Sequence, residues 1–167
     1  HILFDEAGIK QGDKIALVGQ NTPRWCAVYI ATITYGAVIV PIMQTFTSND
    51  IAHIVNHSES RLLFLTDSYW EGLDEEAVPE VEAVFSITDY HALYERDGHK
   101  LTKFVNAMTE NYRKRYPNGF TVENIKYADV PNDALMVLSY TSGTTGYSKG
   151  VMLTVNNLTA NVYYAVN

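Results

Sequence analysis

Four short apolar runs, separated by longer segments with helical periodicity, make up the first half of the chain. Residues 14–19, 38–43, 61–65 and 81–87 are rich in Val, Ile, Leu and Phe and predict buried strands. The helices between them are predicted over residues 22–35, with Pro23 in the first turn, over residues 49–57, capped by Ser48, and over residues 67–77. Strands that alternate with helices of this length predict parallel βαβ units with right-handed crossovers.

The pattern changes after residue 88. Residues 89–133 are more polar and contain one predicted amphipathic helix, 101–116, whose apolar stripe is formed by Phe104, Val105, Met108 and Tyr112. Such a stripe is more often packed in a core than exposed to a partner protein or a membrane surface.

The last part of the chain returns to the buried-strand pattern, over residues 134–141 and 150–154. A final helix is predicted from the apolar stripe formed by Val155, Leu158, Val162 and Val166. The expected fold class is therefore α/β, with a parallel sheet flanked by helices. We expect one partial domain over residues 1–167, divided into alternating strand and helix units (1–88), a more polar helical insertion (89–133), and a strand, a loop, a strand and a helix (134–167).

Composition narrows the functional classes. The 167 residues are 47% hydrophobic, which is enough for one domain with a core. The net charge of −7, with no basic run beyond residues 113–115, argues against a nucleic-acid-binding surface. No stretch reaches the roughly 18 consecutive apolar residues of a membrane span. No signal peptide is visible, although the chain starts at His1 without Met. We expect a soluble cytoplasmic protein without a transmembrane segment, and peripheral membrane contact stays open.

Cysteine and histidine give little support for redox or metal chemistry. Cys26 is the single cysteine and lies inside an apolar helical segment, so we expect a buried structural thiol rather than a nucleophile. His53 and His57 have a spacing that can chelate zinc. The metalloprotease motif fails because no Glu follows His53, and the apolar residues of this helix lie on the opposite face. We therefore expect both imidazoles to face solvent and no metal site.

One segment carries recognisable chemistry. Residues 139–154 read SYTSGTTGYSKGVMLT, and no other part of the chain combines glycines, hydroxyls and a lysine in this way. Gly143 and Gly146 permit positive φ, so successive backbone N–H groups can turn inward as an anion nest, and Lys149 supplies a positive charge for a phosphate oxygen. A plain solvated Ser/Thr/Gly loop is the alternative, but the two flanking strands favour a functional loop presented by a scaffold. It is not a Walker A loop, because Gly150 stands where Ser or Thr is required and a strand rather than a helix follows.

This segment resembles the phosphate-binding signature of the adenylate-forming (AMP-binding) enzymes, which include acyl-CoA synthetases, peptide-synthetase adenylation domains and luciferases. The family pattern is approximately Tyr-Thr-Ser-Gly-Thr-Thr-Gly-x-Pro-Lys-Gly-Val, and residues 140–151 differ from it only at Ser148, which replaces Pro. Residues 12–25, 35–41 and 54–66 resemble earlier elements of the same domain. Residues 83–90, together with the long segment before the loop, look most like long-chain fatty acyl-CoA synthetases.

The resemblance implies an ATP-dependent acid–thiol ligase that activates a fatty acid as an acyl-adenylate and transfers it to coenzyme A. It implies ATP with Mg²⁺ as cofactor and coenzyme A as co-substrate, with no protein ligand to a metal within this chain. It also implies that the loop contacts the β,γ-phosphates through Thr141, Ser142, Gly143, Thr144, Thr145, Gly146 and Lys149. Lys149 alternatively serves the structure of the loop alone.

The family's other catalytic segments lie after its loop and have no counterpart before Asn167, so we expect an N-terminal fragment without catalytic residues that is inactive alone. Two alternatives stay open. One is an adenylating enzyme of another branch, which activates an aryl, amino or short-chain acid. The other is a non-catalytic phosphate-binding module in which the loop is vestigial.

Overall fold

Seven strands and seven helices are seen in the computed structural model, which describes residues 1–141 and 148–166. The strands are β1 (Lys14–Val18), β2 (Val38–Ile42), β3 (Ser60–Leu65), β4 (Ala83–Ser86), β5 (Ala92–Glu95), β6 (Leu135–Thr141) and β7 (Lys149–Thr154). The helices are α1 (Ile2–Glu6), α2 (Pro23–Tyr35), α3 (Ser48–Ser58), α4 (Asp67–Glu71), α5 (Lys100–Asn106), α6 (Met108–Arg115) and α7 (Val155–Val166). Two short 3₁₀ turns are formed by Glu75–Ala77 and Val122–Asn124.

All seven strands form one mixed sheet in the order β5-β4-β3-β1-β2-β6-β7. The five central strands are parallel, whereas β5 and β7 run antiparallel to their neighbours at the two edges. The expectation of a parallel sheet is therefore correct for the centre and wrong for the edges. The reason is the length of the connections, because β4 to β5 and β6 to β7 are joined by segments too short for the crossover that a parallel pair requires.

Helices cover both faces of the sheet, and the side chains of each central strand alternate between two cores. Ile15 and Leu17 of β1 belong to the core beneath α2, whereas Ala16 and Val18 belong to the core beneath α3. The chain moves from β1 to β2 in one direction and from β2 to β3 in the other. Crossovers of one hand then require α2 and α3 to lie on opposite faces, as they do. The connections that follow β1 and β2 consequently diverge at the carboxyl edge of the sheet.

The boundaries of the predicted helices need three corrections. Thr47, not Ser48, caps α3, since its hydroxyl accepts from Asp50 N (3.3 Å) while the Asp50 carboxylate accepts from Thr47 N (3.0 Å). The helix predicted over 67–77 ends at Gly72, and the one predicted over 101–116 is divided at Ala107. Helix α2 agrees with expectation, with Thr22 as cap and Pro23 as the first helical residue.

Cys26 does not lie in the core. The buried residues of α2 are Val28 and Thr32, and Cys26 is two positions before Val28, about 200° around the helix. Its side chain is exposed, so the expected buried thiol is wrong. Apolar composition predicted burial on every side of the helix, whereas α2 packs on the sheet through one side only.

The two predicted apolar stripes are packed in part. Phe104, Val105 and Met108 pack against the core beneath α2, but Tyr112 is 41% exposed. Val155 and Leu158 of α7 pack against the same core, whereas Val162 and Val166 are exposed. Within the described residues, no helix is both long enough and apolar enough to cross a membrane.

Candidate phosphate-binding site

Strands β6 and β7, which precede and follow the predicted phosphate loop in the sequence, form an antiparallel pair. Their last two residue pairs are Tyr140 with Gly150 and Thr141 with Lys149, which we call the hairpin stem. Directly opposite residues of an antiparallel pair project to the same face, so Thr141 and Lys149 project side by side at the loop. Of the seven predicted site residues these two are described; Ser142, Gly143, Thr144, Thr145 and Gly146 lie outside the described residues.

The hairpin stem is positioned beside an open cleft of about 680 Å³ at the carboxyl edge of the sheet. Its lining comes from the residues that follow β1 (Gly19, Gln20, Asn21), from the end of β2 and the residues after it (Pro41, Ile42, Met43, Gln44, Thr45), and from Trp25 and Ser139. We call it the carboxyl-edge cleft. Ligands of open α/β sheets bind where the connections of neighbouring strands diverge in this way.

The amide and hydroxyl groups around this cleft were not predicted as site residues. Gln20, Asn21, Gln44 and Thr45 directly follow predicted strands, and that position was the available signal. Trp25 adds an indole whose Nε1 is buried and has no hydrogen-bond partner among the described residues. The cleft therefore offers hydrogen-bonding groups from three strand ends beside the predicted phosphate loop.

Lys149 is the positive charge of the hairpin stem. Its side chain is exposed, and in the described part of the chain it forms no ion pair. Thr141, directly across the ladder, is also exposed and presents a hydroxyl. A free ammonium and a hydroxyl on one face of the hairpin stem are suited to a phosphate oxygen.

Tyr140 fixes the hairpin stem on the face that carries α3. The residue is 2% exposed, and its hydroxyl lies 2.6 Å from Nδ1 of His57 in the last turn of α3. The two rings meet edge to face at 5.7 Å. Burial raises the pKa of the Tyr140 phenol above its usual value, so the group is a neutral hydroxyl at physiological pH.

The histidines of α3 were predicted to face solvent, and both are exposed. Their rings lie 5.8 Å apart. No cluster of three or more His, Cys, Asp or Glu side chains that could hold a metal ion occurs among residues 1–141 and 148–166. The contact between His57 and Tyr140 was missed, because helical periodicity reports the face of a residue and not what lies opposite it.

Comparison of the sequence with known proteins finds relatives named as acyl-CoA ligases and synthetases. The long-chain-fatty-acid–CoA ligase of Escherichia coli O6:H1 is 27% identical over 174 residues, which cover 93% of this chain and 30% of that protein. Fatty acyl-CoA synthetase A of Dictyostelium discoideum is 31% identical over 163 residues, which cover 94% of this chain and 23% of that protein. The chain therefore spans less than a third of the length of these relatives.

The fold also matches that of solved adenylate-forming enzymes. The crystal structure of the anthranilate–CoA ligase AuaEII in complex with anthranoyl-AMP superposes with a TM-score of 0.72 at 18% identity, covering 97% of this chain and 28% of that one. At this identity the likeness concerns the fold alone. The AMP-binding enzyme family, in contrast, matches the sequence itself over residues 1–167. Since that match runs the whole length of the chain, the protein belongs to the family of AMP-binding enzymes.

Proposed function

We propose that this chain is the phosphate-binding part of an ATP-dependent acid–CoA ligase. The observation that carries the proposal is the hairpin stem, where Thr141 and the exposed Lys149 face the same side next to the carboxyl-edge cleft. Family membership supports the nucleotide, and the acyl-CoA ligase names of the relatives support the reaction class.

The reaction has two balanced halves. In the first, a carboxylate oxygen of the acid attacks the α-phosphorus of ATP, the bond from that phosphorus to the bridging oxygen breaks, and pyrophosphate leaves. In the second, the sulfur of coenzyme A attacks the acyl carbon, the carbon–oxygen bond to AMP breaks, and the thiol proton passes to solvent. The products are AMP, pyrophosphate and the acyl thioester.

The loop acts on the leaving pyrophosphate in this scheme. Residues 141–146 are proposed to hold the β,γ-phosphates through hydroxyls and backbone N–H groups, with Lys149 as the charge partner. Negative charge builds on the bridging oxygen as the bond breaks, so donors fixed beforehand lower the barrier. ATP is expected with Mg²⁺, and the described residues contain no cluster of three or more His, Cys, Asp or Glu side chains that could hold this ion.

A long-chain fatty acid is the proposed acid, because the bacterial and Dictyostelium relatives carry that activity or a fatty acyl one in their names. An aryl acid is the second candidate, because the match to the AMP-binding enzyme family does not distinguish between the acids that such ligases activate. Pyrophosphate–ATP exchange with the full-length protein distinguishes them when palmitate, anthranilate and acetate are supplied in turn. Exchange that only palmitate stimulates would support a long-chain fatty acid as the substrate. Exchange that only anthranilate stimulates would support an aryl acid instead.

Substitution of Lys149 tests the role of the loop. We expect Lys149→Ala in the full-length protein to lower kcat/KM for pyrophosphate–ATP exchange by about 100-fold, the usual cost of removing one group that stabilises transition-state charge. Lys149→Arg, which keeps the charge with a different shape, should lose less. The measurement is the initial exchange rate as a function of ATP concentration.

Lys10→Ala is the matched control. Lys10 is also exposed and, within the described ranges, forms no ion pair, but it lies before β1 at the amino edge of the sheet. Its substitution should leave exchange within twofold of the unaltered protein. Equal activity of Lys149→Ala and Lys10→Ala would support the vestigial, non-catalytic module instead.

A further inference from the structure

We propose that the His57–Tyr140 contact is a positioning device for the phosphate loop, here called the latch. It rests on the function proposed above and adds two residues that are not among the predicted phosphate contacts. Tyr140 immediately precedes Thr141, the first predicted phosphate contact, so a side chain that holds Tyr140 also sets where the loop begins.

The backbone pairing between β6 and β2 is short, and the latch adds a side-chain contact beyond it. Among the described residues, β6 pairs with β2 through one residue pair, Ile39 with Val137, whereas it pairs with β7 from Leu135 to Thr141. The carboxyl-edge cleft lies beyond that pair, between Ser139 and the residues that follow β2. The contact of Tyr140 with His57 therefore adds to the positioning of the hairpin stem relative to the sheet.

Helix α3 is a firm support for such a contact. Ile51, Ile54 and Val55 are each at most 1% exposed in the core that also contains Tyr140. The capping box fixes the first turn of the helix, and near its end Asn56 Nδ2 donates to the carbonyl oxygen of Ala77 at 2.7 Å. A hydrogen bond from the last turn of α3 to Tyr140 thus joins the hairpin stem to an anchored element.

The absence of a side chain on Gly150 leaves room for the Tyr140 ring. It is the cross-strand partner of Tyr140, and a Cβ at this position would lie 3.3 Å from Cζ of Tyr140 and 3.0 Å from Cδ1 of Leu138. The tyrosine ring therefore lies close over β7 where a larger residue would push it outward. Both strands of the hairpin stem are thereby located by one aromatic side chain.

The hydroxyl of Tyr140, and not its ring alone, positions the hairpin stem through the contact with His57. A phenylalanine would fill the same space, but it would leave His57 without this partner and the stem without a directional contact. A buried hydroxyl is normally hydrogen-bonded, and in this chain its partner is an otherwise exposed imidazole.

The test uses Tyr140→Phe, His57→Ala and the double variant in the full-length enzyme. We expect either single change to raise KM for ATP in pyrophosphate–ATP exchange about fivefold, the factor for one hydrogen bond, with kcat within twofold. The double variant should be no worse than the more affected single variant, because both remove the same contact. His57→Gln, which keeps a donor and an acceptor, should recover part of the loss.

Tyr35→Phe is the matched control, since it also removes the hydrogen bonding of a phenol, here to Asp5 at 2.8 Å and to the carbonyl oxygen of Ile9 at 3.2 Å, away from the hairpin stem. It should leave KM for ATP unchanged. Unchanged KM in Tyr140→Phe and His57→Ala in an active enzyme, or strictly additive effects in the double variant, would overturn the latch and leave the proposed function standing. An unaltered enzyme with no exchange for any acid would instead contradict the proposed function.

A second measurement does not depend on activity. Amide hydrogen exchange in residues 138–141 and 149–151 should become at least fivefold faster in Tyr140→Phe, while β1 stays unchanged. Equal exchange in these segments with and without the hydroxyl would overturn the latch even if the protein were inactive.

Discussion

At the scale of single residues, Gly36 is a position where any side chain would be strained. It ends α2 with φ at 84°, in the left-handed region, and its carbonyl oxygen accepts from Gly12 N at 2.9 Å. A Cβ on Gly36 would lie 2.8 Å from Cβ of Ala128, an atom that can move only with its backbone. Glycine at this position therefore adopts the left-handed backbone conformation without strain, and it lets α2 approach the segment before β6 closely.

We expect Gly36→Ala to lower the free energy of unfolding by roughly 2 kcal/mol, from left-handed strain and from the displaced contact with Ala128. Urea unfolding followed by circular dichroism measures the change. Gly98→Ala separates the two causes, because Gly98 has a similar φ of +81° and nothing within 4 Å of an added Cβ. Equal losses in both variants would show that the close approach contributes nothing.

Local signals in the sequence support residue predictions, whereas contacts with distant partners leave no such signal. The phosphate contacts of Thr141 and Lys149 were inferred from the hydroxyl- and glycine-rich segment itself and stay a prediction. The Tyr140–His57 contact joins residues 83 positions apart, and no spacing in the sequence reports it. The prediction that Cys26 is buried was wrong for a related reason. Composition shows that a helix is apolar, but it does not show how much of the helix surface its neighbours cover.

At the scale of elements, the start of α3 is set by the reciprocal bonds of Thr47 and Asp50. The hydroxyl of Thr47, followed by its backbone N–H, holds the pKa of the Asp50 carboxyl below its usual value near 3.8. A carboxyl whose pKa is lower in the folded than in the unfolded protein stabilises the folded state at pH values above its unfolded pKa. That stability is lost as the pH falls through the lower, folded value.

We expect Thr47→Ala to lower the free energy of unfolding at pH 7 by about 1 kcal/mol, the usual cost of losing a helix cap. Ser48→Ala, at the position that sequence alone predicted as the cap, should change it by only a few tenths of that amount. Urea unfolding at pH 7 and at pH 3 checks both, and the penalty of Thr47→Ala should shrink at the lower pH. A larger loss in Ser48→Ala would restore Ser48 as the cap.

Elements were predicted best where they are buried and long. All four strands of the first half were found within one or two residues of their predicted bounds. Strand β5 was missed, because its four residues are all half-buried and show no alternation. The divisions at Gly72 and Ala107 were missed because apolar spacing continues across both.

At the scale of the whole molecule, the side of the sheet where the parallel strands begin (the amino edge) differs from the side where they end (the carboxyl edge). The amino edge is closed by Arg61 of β3, which binds the Glu82 carboxylate through two bonds of 2.7 and 3.0 Å, pairs with Asp13, and donates to the carbonyl oxygen of Gly8. Hydrogen bonding to Glu82 raises the pKa of the guanidinium, which stays charged. The carboxyl edge, in contrast, is open and carries the cleft.

We expect Arg61→Ala to lower the free energy of unfolding by about 2 kcal/mol, a value kept modest because the side chain is 29% exposed. Arg61→Lys should lose nearly as much, since one ammonium cannot reproduce the two-bond contact with Glu82 and still reach Asp13. Urea unfolding provides the measurement. Lys114→Ala, which breaks the exposed Lys114–Glu110 pair, should leave the free energy of unfolding nearly unchanged. Equal costs for Arg61 and Lys114 would contradict a special role for the amino edge.

The overall architecture was largely predictable, since alternating strands and helices imply a central parallel sheet. The antiparallel edges follow from short connections rather than from the strands themselves, and they were therefore not foreseen. The cytoplasmic location and the division of the chain into three parts stay predictions.

The exposure of Cys26 has a practical side. The chain has one cysteine, and α2 presents it to solvent next to Trp25, which lines the carboxyl-edge cleft. A thiol-reactive dye would therefore attach at a single site of this chain and report from beside the cleft by energy transfer or quenching. The same accessibility permits two copies to become linked by a disulfide in air, so a reducing agent belongs in every preparation.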